Sequence, residues 1–231
     1  MIYTSGQRWN SDMMSNSIEE LGWWQDTQPT REELYLSGGL LVEDWPHARQ
    51  VLRLSAQMFA ITLPLHALDA RGLQMLERAA LLHNAGMLIE ARRHHKHSFR
   101  LIRDTSLPDF NEAERYEIAC IARYHRRALP SSDHAEYASL SRTARKRVSM
   151  LASLLRVADA LDYSHDARVL RIAAEPTLCN ESIWTIQLWV RALADLDAEV
   201  EQAQDKADLF EKVFKRKLRL VVQDGRYAQS S

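Results

Sequence analysis

Apolar residues recur along most of this chain at steps of three and four. Val51, Leu54, Met58 and Ile61 form one stripe, Leu73, Leu76, Ala80 and Met87 a second, and Val148, Leu151, Leu155 and Ala158 a third. That spacing lays one side of an α-helix against a core, and it predicts helices over about 45–62, 70–85 and 141–163. Asp44-Trp45-Pro46 gives the first an acidic cap and a proline in its opening turn. Gly86 reads as a left-handed stop to the second. Another helix starts in the histidine-rich run HHKHSFRLIRD and ends before Ser106-Leu107-Pro108. Asn111 and Glu114, a capping-box pair, open a further one that runs to Tyr124-His125.

The period changes after Asp166. RVLRIA (168–173) and IWTIQLWV (183–190) are β-branched and aromatic, with turn chemistry in Cys179-Asn180-Glu181-Ser182 between them. A helix over 193–214 and a last strand in KLRLVV (217–222) follow. The expected fold is mainly α: a helical body over 41–165 and a small α+β lobe of order β-β-α-β over 166–231. Residues 1–40 form a polar N-terminal extension with weak order signals in Gly6, Pro29 and Gly38-Gly39, and with Trp23-Trp24 available to dock it.

Polar residues interrupt these stripes at four places. Asp159 stands four residues after Leu155, where a leucine would fit. His47 continues the first stripe, His83 falls within the second, and His125 extends Ile118 and Ile121. One imidazole on such a face reads as a satisfied core residue. Three of them with a buried carboxylate also fit a shared site, because a metal would offset the burial cost of all four together.

Bulk composition narrows the setting. The chain has 231 residues, 46% of them hydrophobic, which is enough for one sizeable core. A formal net charge of -1 argues against a nucleic-acid binder by composition. Cys120 and Cys179 make no disulfide framework or zinc ribbon. The absence of a long apolar run or signal pattern makes a cytoplasmic protein, off the membrane, the expectation.

The ordered blocks HARQVLRLSAQMF, ERAALLHNAGMLI, HHKHSFRLIRDTSLPDFN, IARYHRR and LLRVADALD, with DLFEKVFKRKLRL near the end, carry a family resemblance. Over about 41–222 the chain resembles the HD superfamily of metal-dependent phosphohydrolases. More narrowly, it is similar to the C-terminal HD domain of the exopolyphosphatase and guanosine pentaphosphate phosphohydrolase family. The resemblance implies an HD-type helical bundle with His47, His83 and Asp159 as primary ligands of a divalent metal (Mn, Mg, Fe, Co or Zn) and position 84 completing the set. It also implies further ligands at His97 and His125, with His94 and His95 as substitutes. The amino-terminal sugar-kinase-like domains of that family have no counterpart in this sequence, so the expectation is a stand-alone HD-type protein.

At position 84 the family pattern has aspartate and this chain has Asn84. A neutral carbonyl oxygen bridges two cations poorly. The expectation becomes one ion rather than two, or a degenerate site holding water or an anion. Arg92, Arg93 and Lys96, with Arg126 and Arg127, adjoin the histidines and could bind a polyanionic phosphate. Arg142, Arg145, Lys146 and Arg147 read as a solvated helix face, and Glu90 as a proton-transfer candidate. The leading expectation is a metal-dependent phosphohydrolase acting on polyphosphate or a nucleotide, with His47, His83, Asn84 and Asp159 as catalytic residues. The alternative is a weak or inactive HD module that binds such a ligand in a regulatory role. A homodimer through the Trp-rich arm and the lobe is a third arrangement.

Overall fold

The computed structural model describes residues 26–190 and 196–223, so the Trp23-Trp24 arm and the first residues of the expected 193–214 helix lie outside the described residues. The protein is mainly α. Its helices are α1 (Arg31–Leu36), α2 (Trp45–Ile61), α3 (Leu63–His66), α4 (Ala70–Leu82), α5 (His94–Asp104), α6 (Glu112–Arg123), α7 (Ala135–Ala138) and α8 (Arg142–Ala160). Two short 3-10 turns, Ala85–Leu88 and Ala91–Arg93, join α4 to α5. Strands β1 (Val169–Ala174) and β2 (Ile183–Val190) follow, then α9 (Asp197–Asp205), α10 (Asp208–Phe214) and β3 (Lys217–Gln223).

Helix α8 is the axis of the bundle. Val148, Leu151, Leu155 and Ala158 are fully buried, and α2, α4 and α6 pack around them. Local chemistry sets the helix starts. Ser141 caps α8 by accepting from the Ala144 amide, Asp44 caps α2 by accepting from the His47 amide, and Asn111 and Glu114 form the capping box of α6.

The small sheet has the order β1-β2-β3, antiparallel between the first two strands and parallel between the last two. A parallel neighbour needs a crossover, and α9 and α10 supply it. Strand β1 lies at an edge, and α2 covers it: Gln50 donates to the Val169 carbonyl at 2.7 Å, Arg53 donates to the Val169 and Leu170 carbonyls, and the Gln57 side chain accepts from the Ile172 amide at 2.8 Å. The hydrophobic core continues from the bundle into the sheet through Val169, Ile172, Ile186, Leu188 and Phe210.

Three local expectations change. Within the N-terminal extension, residues 31–36 are helical, held by a capping box between Thr30 and Glu33 and by Glu33 gripping Arg49 at 2.6 Å. The single helix over 193–214 is two helices, broken at Lys206-Ala207. Gly86 is no left-handed cap, because positive φ among the described glycines occurs at Gly38 and Gly39. It is required by close approach: a Cβ there would stand 2.3 Å from the His94 carbonyl oxygen and 2.5 Å from the Ser98 amide.

Candidate metal centre

The helices bring one polar residue from each of three faces to a common point. His47 comes from the first turn of α2, His83 from the end of α4 and Asp159 from the last turn of α8, and all three are buried. Each offers a ligand atom within 4.8 Å of the others, a grouping that could hold a metal ion. His47 Nε2 and His83 Nε2 lie 3.3 and 3.2 Å from Asp159 Oδ1. The buried Asn84 Oδ1 has no hydrogen-bond partner among the described residues.

The other nitrogen of each ring is held. His47 Nδ1 donates to Asp162 Oδ2 at 2.8 Å, and His83 Nδ1 donates to the Ala80 carbonyl at 2.6 Å. These bonds hold both rings with Nε2 turned toward the centre, the orientation a bound cation needs. The ligand atoms of the two imidazoles and the carboxylate therefore fit a divalent ion, which would take the place of any proton on the Nε2 atoms.

Electrostatics follow from this geometry. Burial opposes a charge on His47, but the Asp159 and Asp162 carboxylates outweigh it and lift its pKa to about 9. His83 is lowered, because complete burial outweighs its Asp159 contact. Burial alone would raise the Asp159 carboxyl. The Lys206 ammonium, at 2.6 Å from Oδ2, and the two imidazoles hold it well below the usual carboxylate range instead.

The imidazoles continue as a row. His165 stacks on His47 with ring centroids 3.8 Å apart, its Nδ1 2.7 Å from Asp44 Oδ2. On the other side His83 meets His125 edge-on at 5.0 Å, and His125 stacks on His94 at 5.1 Å. His125 donates from Nδ1 to the Ala122 carbonyl, and His94 Nδ1 lies 2.8 Å from the Ala91 carbonyl. Their Nε2 atoms are within hydrogen-bond distance of each other at 3.1 Å, which joins the two rings directly. Burial keeps both rings neutral, pushing His94 down to about 4 and His125 well below its usual value.

The structure thus brings together His47, His83 and Asp159, with His125 edge-on to His83 and Asn84 next to His83 in the chain with its Oδ1 buried. It places His94 beside His125 and turns His97 away, toward Glu90 at 3.3 Å. Glu90 is engaged on the surface by His97 and Arg93. Arg126 reaches within 3.3 Å of His94, while Arg92, Arg93, Lys96 and Arg127 line a cavity of about 350 Å³ together with buried His95. A larger cavity of about 480 Å³ lies around Lys146 and Phe214 and includes none of the central residues. Arg145 and Arg147 are tied within the bundle, Arg147 through a two-pronged contact to Glu117. Lys206 has no counterpart in the sequence reading: a lysine at the end of a polar helix carries no burial signal.

Comparison with known proteins agrees with this architecture. Two curated relatives, each named guanosine-5'-triphosphate,3'-diphosphate pyrophosphatase, match parts of the chain. The protein from Pseudoalteromonas translucida (strain TAC 125) is 39% identical over 66 residues, 29% of this chain and 13% of that protein. The one from Vibrio parahaemolyticus serotype O3:K6 (strain RIMD 2210633) is 29% identical over 136 residues, 58% of this chain and 26% of that protein. The chain thus corresponds to about a quarter or less of the length of these relatives. No described helix is long and apolar enough to cross a membrane. The model of the family described as Ppx/GppA phosphatase, domain III, matches residues 42–204, a span that takes in His47, His83, Asn84 and Asp159, and the chain belongs to that family.

Proposed function

We propose that this chain is an HD-type phosphohydrolase domain that binds one divalent cation and acts on a phosphate ester or anhydride. The observation that carries this reading is the buried trio of His47, His83 and Asp159, whose ligand atoms all lie within 4.8 Å of one another. His47, His83 and Asp159 would hold the ion, with Asn84 as a neutral oxygen donor. The ion would polarise a phosphoryl oxygen and make water more acidic.

The chain's own residues supply the remainder. Asp162 and the Ala80 carbonyl fix the two rings. Arg126, with Arg92, Arg93, Lys96 and Arg127, would receive and neutralise a run of phosphates extending from the centre. Polyphosphate and guanosine-5'-triphosphate,3'-diphosphate, the compound in the relatives' names, are the substrates of choice for assay.

A second reading, a module that binds such a polyanion in a regulatory role, draws on the single negative charge among the four central residues. Metal content after purification without chelator, with hydrolysis assays under Mn, Mg, Co and Fe, separates the two. Stoichiometric metal and turnover abolished by His47→Ala and Asp159→Ala support the enzyme. Salt-sensitive polyphosphate binding with no metal and no turnover supports the module instead.

A further inference from the structure

The Asp159 carboxylate serves two masters. Its Oδ1 faces the two imidazoles, whereas its Oδ2 accepts from Lys206 Nζ at 2.6 Å. Lys206 ends α9, in the C-terminal lobe, 47 residues further along the chain. Its side chain is 21% exposed, so the ammonium enters from the solvent edge while the carboxylate is buried. A buried carboxylate without a countercharge is strongly disfavoured. Among the described residues Lys206 is the one lysine or arginine paired with it.

We propose that Lys206 is a built-in competitor of the metal: it neutralises Asp159 when no ion is bound and raises the concentration at which a divalent ion is taken up. This rests on the metal-site reading above. The centre of His47, His83 and Asp159 carries one anionic side chain, and Lys206 already claims it. An arriving cation meets a fixed positive charge on the far oxygen of its own ligand. Either it binds against that repulsion or Lys206 swings out into solvent, and both weaken binding. Because Lys206 caps the C-terminal end of α9, the lobe sets the metal threshold of a centre built by α2, α4 and α8.

The test compares the dissociation constants of the wild-type chain, Lys206→Met and Lys206→Arg for Mn and Zn by titration calorimetry. Lys206→Met keeps most of the aliphatic stem and removes the charge; it should bind at least about tenfold tighter, the direction expected from deleting a nearby like charge. Lys206→Arg keeps the charge and should stay within about twofold of wild type, less than the factor of ten that one 1.4 kcal/mol step gives. Circular dichroism verifies folding, and Lys206→Gln carries the same comparison if the methionine variant does not fold. Equal, measurable affinities in wild type and the neutral variants overturn the role of Lys206 and leave the metal site standing. Binding by the neutral variants alone supports Lys206 as competitor and removes the metal from the wild-type reading. No binding by either overturns both.

Discussion

Asp162 holds His47 in place: its Oδ2 accepts from His47 Nδ1 at 2.8 Å while its Oδ1 accepts from the Ala167 amide at 2.9 Å. One buried carboxylate thereby links a ring on α2 to the turn that leads into β1. Replacing Asp162 with Asn keeps the shape but permits the amide to offer an N–H to the ring and favour the wrong tautomer. Outer partners of this kind contribute roughly 10–100-fold to metal affinity. Asp162→Asn is expected to weaken divalent-ion binding within that range, with a near-native circular dichroism spectrum; calorimetric titration reads it directly.

Asn84→Asp adds an anionic oxygen where a neutral one stands buried and without a protein partner. Charge count among oxygen ligands sets affinity, so the variant should bind Mn or Zn roughly tenfold tighter or more. Elemental analysis of the purified variant would show added metal per chain. An unchanged metal content and affinity would mean that residue 84 lies outside the coordination sphere.

Glu77 gives a pH dependence unconnected with the metal. Burial, only partly offset by neighbouring Arg78, raises its pKa from 4.5 to about 7. Between those values the folded chain retains a proton that the unfolded chain has lost. Stability is therefore full below the unfolded value, falls as the pH rises toward 7 and then levels off, a loss of roughly 3 kcal/mol. Glu77→Gln should abolish that slope. Urea unfolding of both proteins at several pH values between 4.5 and 8 would reveal a persisting slope if another group is responsible.

At Gly86, alanine would drive a Cβ into the His94 carbonyl and the Ser98 amide, both backbone atoms at the start of α5. Overpacking of this sort costs about 1–3 kcal/mol. Gly86→Ala should lower the melting temperature accordingly and shift His94 relative to His125, which the imidazole resonances of a nuclear magnetic resonance spectrum would report.

The helical stripes made much of this molecule legible. A polar residue at 3.6-residue spacing in an apolar stripe must face the interior, so the inward placement of His47, His83, His125 and Asp159 is written in the periodicity. The strands are equally clear, because β1 to β3 are β-branched and aromatic runs between turn residues. Choosing among His94, His95 and His97 was not possible from spacing. Positions three apart share a helix face, and the turn pressed against α5 at Gly86 decides which of them reaches His125. The helix at 31–36 did carry a signal, the Thr30–Glu33 capping box, which is easily passed over in a polar stretch without an apolar stripe. Lys206 left no trace, since its partner lies 47 positions away and its own surroundings are polar.

The hold of α2 on β1 bears on how the domain can be dissected. Gln50, Arg53 and Gln57 occupy successive turns of the helix that begins with Trp45 and includes His47, and all three are spent on strand backbone. A fragment ending near residue 166 would leave those side chains without their backbone partners and uncover the apolar side of the helix beneath Val169 and Ile172. The minimal unit that preserves the histidine row is thus the bundle together with its sheet, and a shorter excised bundle should behave as a loosened, aggregation-prone species rather than as a smaller version of the same domain.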